Sequence, residues 1–155
     1  MSKILVAYFS QSGNTARAAE AVARAVGAKT YEIEPSEKYP ADYNKCIAEA
    51  KREKEADARP ALKSSPAEAV KEADIVFLGY PIWWYDAPML IYSFIDACDF
   101  KGKRVIPFAT SGGSGMSGSD ERIAKEAGVK KETGYISRFR LNVSEIEKWA
   151  KNAVG

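Results

Sequence analysis

Three short stretches hold most of the residues whose types and spacing could do chemistry. The first, Ser10-Gln11-Ser12-Gly13-Asn14-Thr15, puts hydroxyls, side-chain amides and a small flexible glycine between an apolar run and a helical pattern. Backbone N–H groups and hydroxyls at a helix N-terminus solvate an anion, and a single phosphomonoester is the group these residues suit best. Ser12 or Asn14 acting only as a helix cap would account for one residue, not for the density of donors. The second stretch, Gly79-Tyr80-Pro81-Ile82-Trp83-Trp84-Tyr85-Asp86-Ala87-Pro88, places two adjacent tryptophans between prolines. Adjacent side chains cannot easily face one core, so a flat heteroaromatic ligand would give Trp83 or Trp84 a stacking partner; packing under the loop or a protein interface are the alternatives. The third, Thr110-Ser111-Gly112-Gly113-Ser114-Gly115-Met116, clusters glycines that let backbone approach a planar ring edge, or that form a flexible surface loop.

Several reaction classes are excluded by what is missing. The chain has no histidine, which removes Ser-His-Asp and Cys-His nucleophile pairs, imidazole acid–base catalysis and His-containing zinc sites. The first stretch has no Lys after Gly13 and no second glycine, so it is not the G-x-x-x-x-G-K-[ST] loop of triphosphate hydrolases, nor is there a G-x-G-x-x-G. Tyr8-Phe9-Ser10 stands where a phosphorylated receiver would need acidic residues. Cys46 and Cys98 form no C-x-x-C and are too few for a disulfide framework or a cysteine metal site, so they read as buried thiols in a reducing compartment. Lys plus Arg total 23 against 21 Asp plus Glu, a net +2 without single-sign blocks, which gives no case for nucleic acid or a membrane surface. The start MSKILVAYFS is too short an apolar run for a span and lacks a signal peptide's plan, so a cytoplasmic location is expected.

The elements that must position these stretches alternate along the chain. Ile4 to Phe9 is a continuous apolar run suited to a strand buried on both faces. Thr15 to Val26 is an Ala-rich helix with Gly27 at its end. Strands are expected over Lys29 to Ile33, Ile75 to Tyr80, Val105 to Ala109 (where Pro107 removes one donor) and within Thr133 to Leu141. Helices are expected over Pro66 to Ala73, after Asp86 as N-cap with Ala87 and Pro88 in the first turn, from Ser119 or Asp120 to Gly128, and from Ser144 with a Ser144–Glu147 capping box. Ile146, Trp149, Ala150 and Ala153 share one helical face, which makes Trp149 core. The stretch Pro35 to Ser65 is longer than an ordinary connection, and its charged helical pattern Tyr43 to Ala56 reads as a solvated face. Arg138 and Arg140 alternate on an edge strand, where they would block unwanted pairing. With 155 residues the chain suits one domain, residues 1–155, an open doubly wound α/β sheet with its ligand beyond the carboxyl ends of the strands.

On Tyr8-Phe9-Ser10-Gln11-Ser12-Gly13-Asn14-Thr15, Gly79-Tyr80-Pro81-Ile82-Trp83-Trp84 and Thr110-Ser111-Gly112-Gly113-Ser114-Gly115, the sequence resembles the flavodoxin family over essentially its whole length. The resemblance implies a three-layer α/β fold, a five-stranded parallel sheet in the order 2-1-3-4-5, and non-covalent FMN. It implies that Ser10, Gln11, Ser12, Gly13, Asn14 and Thr15 bind the FMN phosphate, that Pro81, Ile82, Trp83 and Trp84 flank the isoalloxazine, and that Ser111, Gly112, Gly113 and Ser114 meet its other edge. Neither a catalytic side chain nor a metal is then required, and Gly79 or the Pro81 to Tyr85 loop would offer a carbonyl to the flavin N5. The implied role is electron transfer between redox protein partners; the alternative is an FMN-dependent reductase of a quinone or other small molecule with a nicotinamide donor. Two features depart from the family. The glycine loop lacks a stacking aromatic, which would leave one flavin face open, and the +2 charge argues against steering toward a basic partner.

Overall fold

A computed structural model describes residues 2–155. Five strands form one sheet: β1 (Ile4–Tyr8), β2 (Lys29–Glu32), β3 (Ile75–Pro81), β4 (Arg104–Ser111) and β5 (Tyr135–Arg138). All neighbours pair in parallel in the order β2-β1-β3-β4-β5, as expected. Six helices join them: α1 (Asn14–Val26), α2 (Tyr43–Glu55), α3 (Ala67–Lys71), α4 (Met89–Asp96), α5 (Ser119–Ala127) and α6 (Val143–Val154). Among the described residues no helix is long and apolar enough to cross a membrane.

Strand periodicity sorts the core into two layers. Val6, Ile75, Phe77, Ile106 and Phe108 point to one face, covered by Ala18, Ala19 and Val22 of α1 and Ile146 and Ala150 of α6. Leu5, Ala7, Val76, Leu78, Tyr80 and Val105 point to the other, covered by Leu90, Ile91 and Phe94 of α4 and Ile123 of α5. Trp149 packs with ring centroids 5.6 Å from Phe77 and 5.5 Å from Tyr135, so it is core. Pro107 lies just before β4 begins to pair with β5, at Phe108 opposite Tyr135.

Three helix starts and one strand end differ from expectation. Asp86 is no N-cap: α4 starts after Pro88, and the Asp86 carboxylate is buried among side-chain partners described below. The α6 cap is Asn142, whose Oδ1 accepts the Glu145 N–H at 3.0 Å, two positions before the Ser144–Glu147 pair that sequence spacing suggested. Gly13, with φ 96°, precedes α1 and leaves the cap free of any side-chain hydrogen bond. β5 ends at Arg138, so Arg140 lies beyond the strand and does not alternate with Arg138 along it.

At the edge of the sheet remote from these loops, Arg104 grips Glu132 through two hydrogen bonds, 2.6 and 2.9 Å, and also donates to the Ala153 carbonyl of α6. The guanidinium holds the Glu132 carboxyl below its ordinary range. A depressed carboxylate contributes stability that is complete above its unfolded pKa of roughly 4.3 and is lost as pH falls through the folded value. Glu132→Gln should therefore flatten the acid limb of unfolding free energy against pH, measured by urea titration from neutral to acid pH. An unchanged limb would show that the pair carries none of it.

Candidate functional site: a cleft at the carboxyl edge of the sheet

The loops after β1, β3 and β4 meet at one edge of the sheet around a cleft of about 590 Å³. Of the residues anticipated from sequence, Ser12, Asn14, Pro81, Ile82, Trp83, Trp84, Ser111, Gly112, Gly113 and Ser114 line it. The remaining four build the first loop without lining the cleft. The Ser10 hydroxyl accepts the Gly13 N–H at 3.1 Å, Gln11 donates to the Pro40 carbonyl, and Thr15 is buried with its hydroxyl 2.7 Å from that of Thr110. That last bond fastens the first loop to the third.

The second loop is a hairpin. Trp83 and Asp86 exchange backbone hydrogen bonds at 2.8 and 3.2 Å, leaving Trp84 and Tyr85 as the two turn residues, at φ 53° and 63°. A two-residue turn with both φ positive normally calls for Asn-Gly, because a large side chain there costs about 1–2 kcal/mol per residue. External bonds hold the strained pair in place. The Trp84 indole donates to the Ile47 carbonyl of α2 at 2.8 Å, the Lys51 amine sits 5.3 Å from the centre of its ring, and Lys54 donates to the Trp84 carbonyl. Trp83 turns inward instead, edge-on to Tyr39 at 5.0 Å and to Phe9 at 5.4 Å. The two tryptophans thus divide the readings left open by sequence: Trp83 packs beneath the loop as well as reaching the cleft, and Trp84 forms its wall.

Asp86 locks the hairpin base. Its carboxylate is 7% exposed and accepts from the Tyr92 hydroxyl at 2.6 Å, the Ala87 N–H at 2.7 Å and the Arg122 guanidinium at 2.7 Å. Burial and this carboxylate push the Tyr92 phenol far above its ordinary range, so it remains a donor.

Three contributions escaped sequence reading. Tyr43 and Ile47 of α2 line the cleft, so α2 is a wall of the site rather than only a solvated face. The excursion that carries α2 is closed by a bridge between Pro35 and Leu62, and buried Tyr39 braces it against Phe9 and Trp83. Burial and the Glu53 carboxylate raise the Tyr39 phenol far out of range, and its hydroxyl donates to Glu53 at 2.7 Å. The third contribution is Phe139, beyond β5. It is 81% exposed, lines the cleft, and holds φ 63° at the centre of a γ-turn closed by the Arg140 N–H on the Arg138 carbonyl at 2.7 Å. Such turns are rare and strained. Its ring lies so close to Gly113 that a β-carbon there would sit 3.1 Å from Cζ, and Gly113 itself has φ 148°. The aromatic missing from the glycine loop is therefore supplied by the neighbouring strand end. Of the five non-glycine residues with positive φ among the described residues, three are the cleft aromatics Trp84, Tyr85 and Phe139, so the backbone strain is concentrated at the cleft.

The Gly79 carbonyl, a candidate partner for a ligand, accepts the Phe9 N–H at 3.0 Å inside the sheet, and the Trp83 and Trp84 carbonyls are likewise engaged. The two thiols stand apart from the cleft. Both are free, and burial pushes Cys98 up to about 11, which keeps it protonated and inert.

Comparison with known proteins adds five findings. A family model described as Flavodoxin matches residues 3–153. Among solved structures, a protein of Bacteroides eggerthii provisionally described as a flavoprotein is 40% identical, with TM-score 0.83, covering 100% of this chain and 99% of its own. One from Bacteroides uniformis, described in the same way, is also 40% identical, with TM-score 0.86 and coverage of 97% and 98%. A flavoprotein of Lactobacillus acidophilus in complex with FMN shares the fold at 24% identity, TM-score 0.70, with coverage of 97% and 99%. None of the curated proteins matches the sequence.

Proposed function

Because the chain belongs to the flavodoxin family, we propose that it holds FMN non-covalently in this cleft and carries electrons between redox protein partners. The observation that carries the reading is the composition of the cleft wall. It offers hydroxyls, amides, glycine backbone and aromatic faces, and no carboxylate, amine, guanidinium or thiol. Such a wall binds and tunes a redox ligand but supplies no acid–base pair or activated nucleophile of its own.

The residues fit the cofactor's parts. Ser12, Asn14 and the N-terminus of α1 suit a phosphate, and the first turn of α1 carries no acid, while Arg17 donates to Asn14 there. Trp84, Tyr85 and Phe139 suit a flat ring, and Gly112 and Gly113 let backbone reach its edge. When bound, FMN supplies the electron chemistry. The chain's own residues orient it and limit water: Trp84 is held by α2, and Phe139 by its turn against Gly113. Differential binding of oxidised and reduced ligand then sets the potential. The Bacteroides relatives described as flavoproteins and the FMN complex of the more distant one support the reading.

The test is an absorbance spectrum of purified protein with added FMN during anaerobic titration with reductant. Tight binding with two separated one-electron steps supports the carrier. Two-electron reduction, with steady turnover of a nicotinamide donor and a quinone in the absence of any protein partner, would replace it with the reductase reading. Failure to take up FMN would overturn the assignment.

A further inference from the structure

The formal charge of the chain is only +2, but its distribution at the cleft is one-sided. Behind Trp84 stand Lys51, whose amine is 5.3 Å from the ring centre, and Lys54, bonded to the Trp84 carbonyl. On the opposite wall Arg138 and Arg140 flank Phe139, and the Arg138 guanidinium would lie 3.0 Å from a β-carbon at Gly115. None of the four forms an ion pair among the described residues, a state they share with Lys29, Lys38 and Lys148; what sets them apart is their place beside the cleft aromatics Trp84 and Phe139. Of the carboxylates nearest in the chain, Glu49 pairs with Arg52, Glu53 accepts from Tyr39 and Glu145 accepts from Tyr135, while Glu55, exposed beside Lys54, enters no ion pair among the described residues. Arg17, beside Asn14, belongs to the phosphate end.

The four cations lie outside the cleft wall, which is itself uncharged. A small anion inside the cleft would meet hydroxyls and aromatic rings. A broad surface laid across the mouth would meet both basic pairs at once. We propose that the mouth of the cleft docks an acidic protein surface, with Lys51 and Lys54 on one side and Arg138 and Arg140 on the other, and that this carrier's partner is an acidic redox protein. Complementary charge raises encounter rates and orients the partner, and the attraction weakens with salt. The inference rests on the electron-carrier reading for its purpose, but docking itself is measurable without FMN.

The experiment measures binding of two redox proteins, an acidic plant-type ferredoxin and a basic cytochrome c, to FMN-free and FMN-loaded protein at low and physiological ionic strength. The ferredoxin should bind at low salt and weaken by about tenfold at physiological salt, with cytochrome c not binding. The double variant Arg138→Glu, Arg140→Glu should lose ferredoxin binding by about tenfold while its unfolding midpoint and FMN affinity hold. With loaded protein, each productive encounter passes one electron from the ferredoxin's reduced cluster to the bound FMN, and that rate should fall in parallel. A ferredoxin affinity that the double variant leaves unchanged would overturn the proposal. So would a salt-dependent oxidation of the FMN-loaded, dithionite-reduced protein by hexacyanoferrate(III), one electron passing from reduced FMN to each iron, unaccompanied by ferredoxin binding; this would assign the rim to small anions. Loss of FMN uptake by the unmodified protein would be seen in its spectrum and would overturn the carrier reading, while ferredoxin binding by the FMN-free protein would still decide the docking surface.

Discussion

Arg122→Met should lower the free energy of unfolding by about 3 kcal/mol and weaken FMN binding by about tenfold. The substitution leaves the Asp86 carboxylate, 7% exposed, without its only cationic partner among the described residues, at 2.7 Å. Removing one member of a buried pair typically costs about 3–5 kcal/mol, because the remaining charge stays in a low-dielectric site. The lower end applies here, since the Tyr92 hydroxyl and Ala87 N–H still solvate Asp86 and the Arg122 side chain is 30% exposed. Part of the loss is packing: the Arg122 guanidinium lies 4.0 Å from the centre of the Tyr92 ring, and methionine keeps only some of that contact. Glu126 and Asp57, at 2.6 and 2.7 Å from the same guanidinium, are also released.

The effect should reach the cleft because Asp86 closes the hairpin that holds Trp84 and Tyr85 at positive φ. Once the base loosens, the turn can relax out of its strained conformation and the aromatic wall loses its fixed orientation. Urea unfolding at constant m reads the stability, and FMN titration reads the wall. The double variant Asp86→Asn, Arg122→Met should recover part of the stability, since a neutral amide needs no counter-charge. A single-variant loss below about 1 kcal/mol would show the carboxylate adequately solvated by its neutral donors.

Gly79→Ala should cost about 3 kcal/mol, the upper end for overpacking by one methyl group. A β-carbon at Gly79 would stand 2.3 and 2.4 Å from Cζ and Cε2 of Phe108, the residue directly across the β3–β4 ladder. Phe108 is completely buried, and its ring is backed by Trp149 at 6.5 Å, so it has no free space to take up. The strain would then pass into the sheet next to the site: the Gly79 carbonyl holds Phe9, and Tyr80 and Pro81 lead directly into the hairpin. Thermal or urea unfolding checks the cost, and Gly79→Ala with Phe108→Leu should recover part of it, since the smaller side chain vacates the clashing volume. Additive losses in the double variant would mean that the methyl is accommodated by strand movement rather than by the ring.

The alternation of strands and helices and the edge of the sheet that carries the site were legible in the residues themselves, whereas the strand order was what the resemblance to the flavodoxin family implied. Unbroken apolar runs such as Ile4 to Phe9 report burial on both faces, Ala-rich and 3.6-period segments report helices, and their alternation leaves few topologies. The loop residues Ser12, Asn14, Trp83, Trp84 and Ser111 to Ser114 could be named because loops that follow parallel strands share an edge whatever their internal shape. Local sequence also determined Trp149, whose helical neighbours Ile146 and Ala150 fixed its face.

Tertiary structure decided what depends on partners far along the chain. Asp86 looks like a cap beside Ala87 and Pro88, but Arg122 and Tyr92 compete for its carboxylate and win by burying it. Nothing local announces a hairpin turn at Trp84-Tyr85, because bonds from Ile47 and Lys54 on α2 enforce a backbone that turn propensity disfavours. The excursion carrying α2 reads as solvated because its composition is charged, yet it meets the site through Tyr43, the Ile47 carbonyl and side chain, and the Lys51 and Lys54 amines, and charge patterning does not say which charged side chains face solvent. Phe139 enters the cleft only because β4 and β5 pair in register and place Ser111 beside Arg138. Periodicity and composition report each residue's average environment, and so determined the fold and the location of the cleft. The orientation of its walls arises from single long-range bonds that outweigh local preference, and these exist only once the chain has folded.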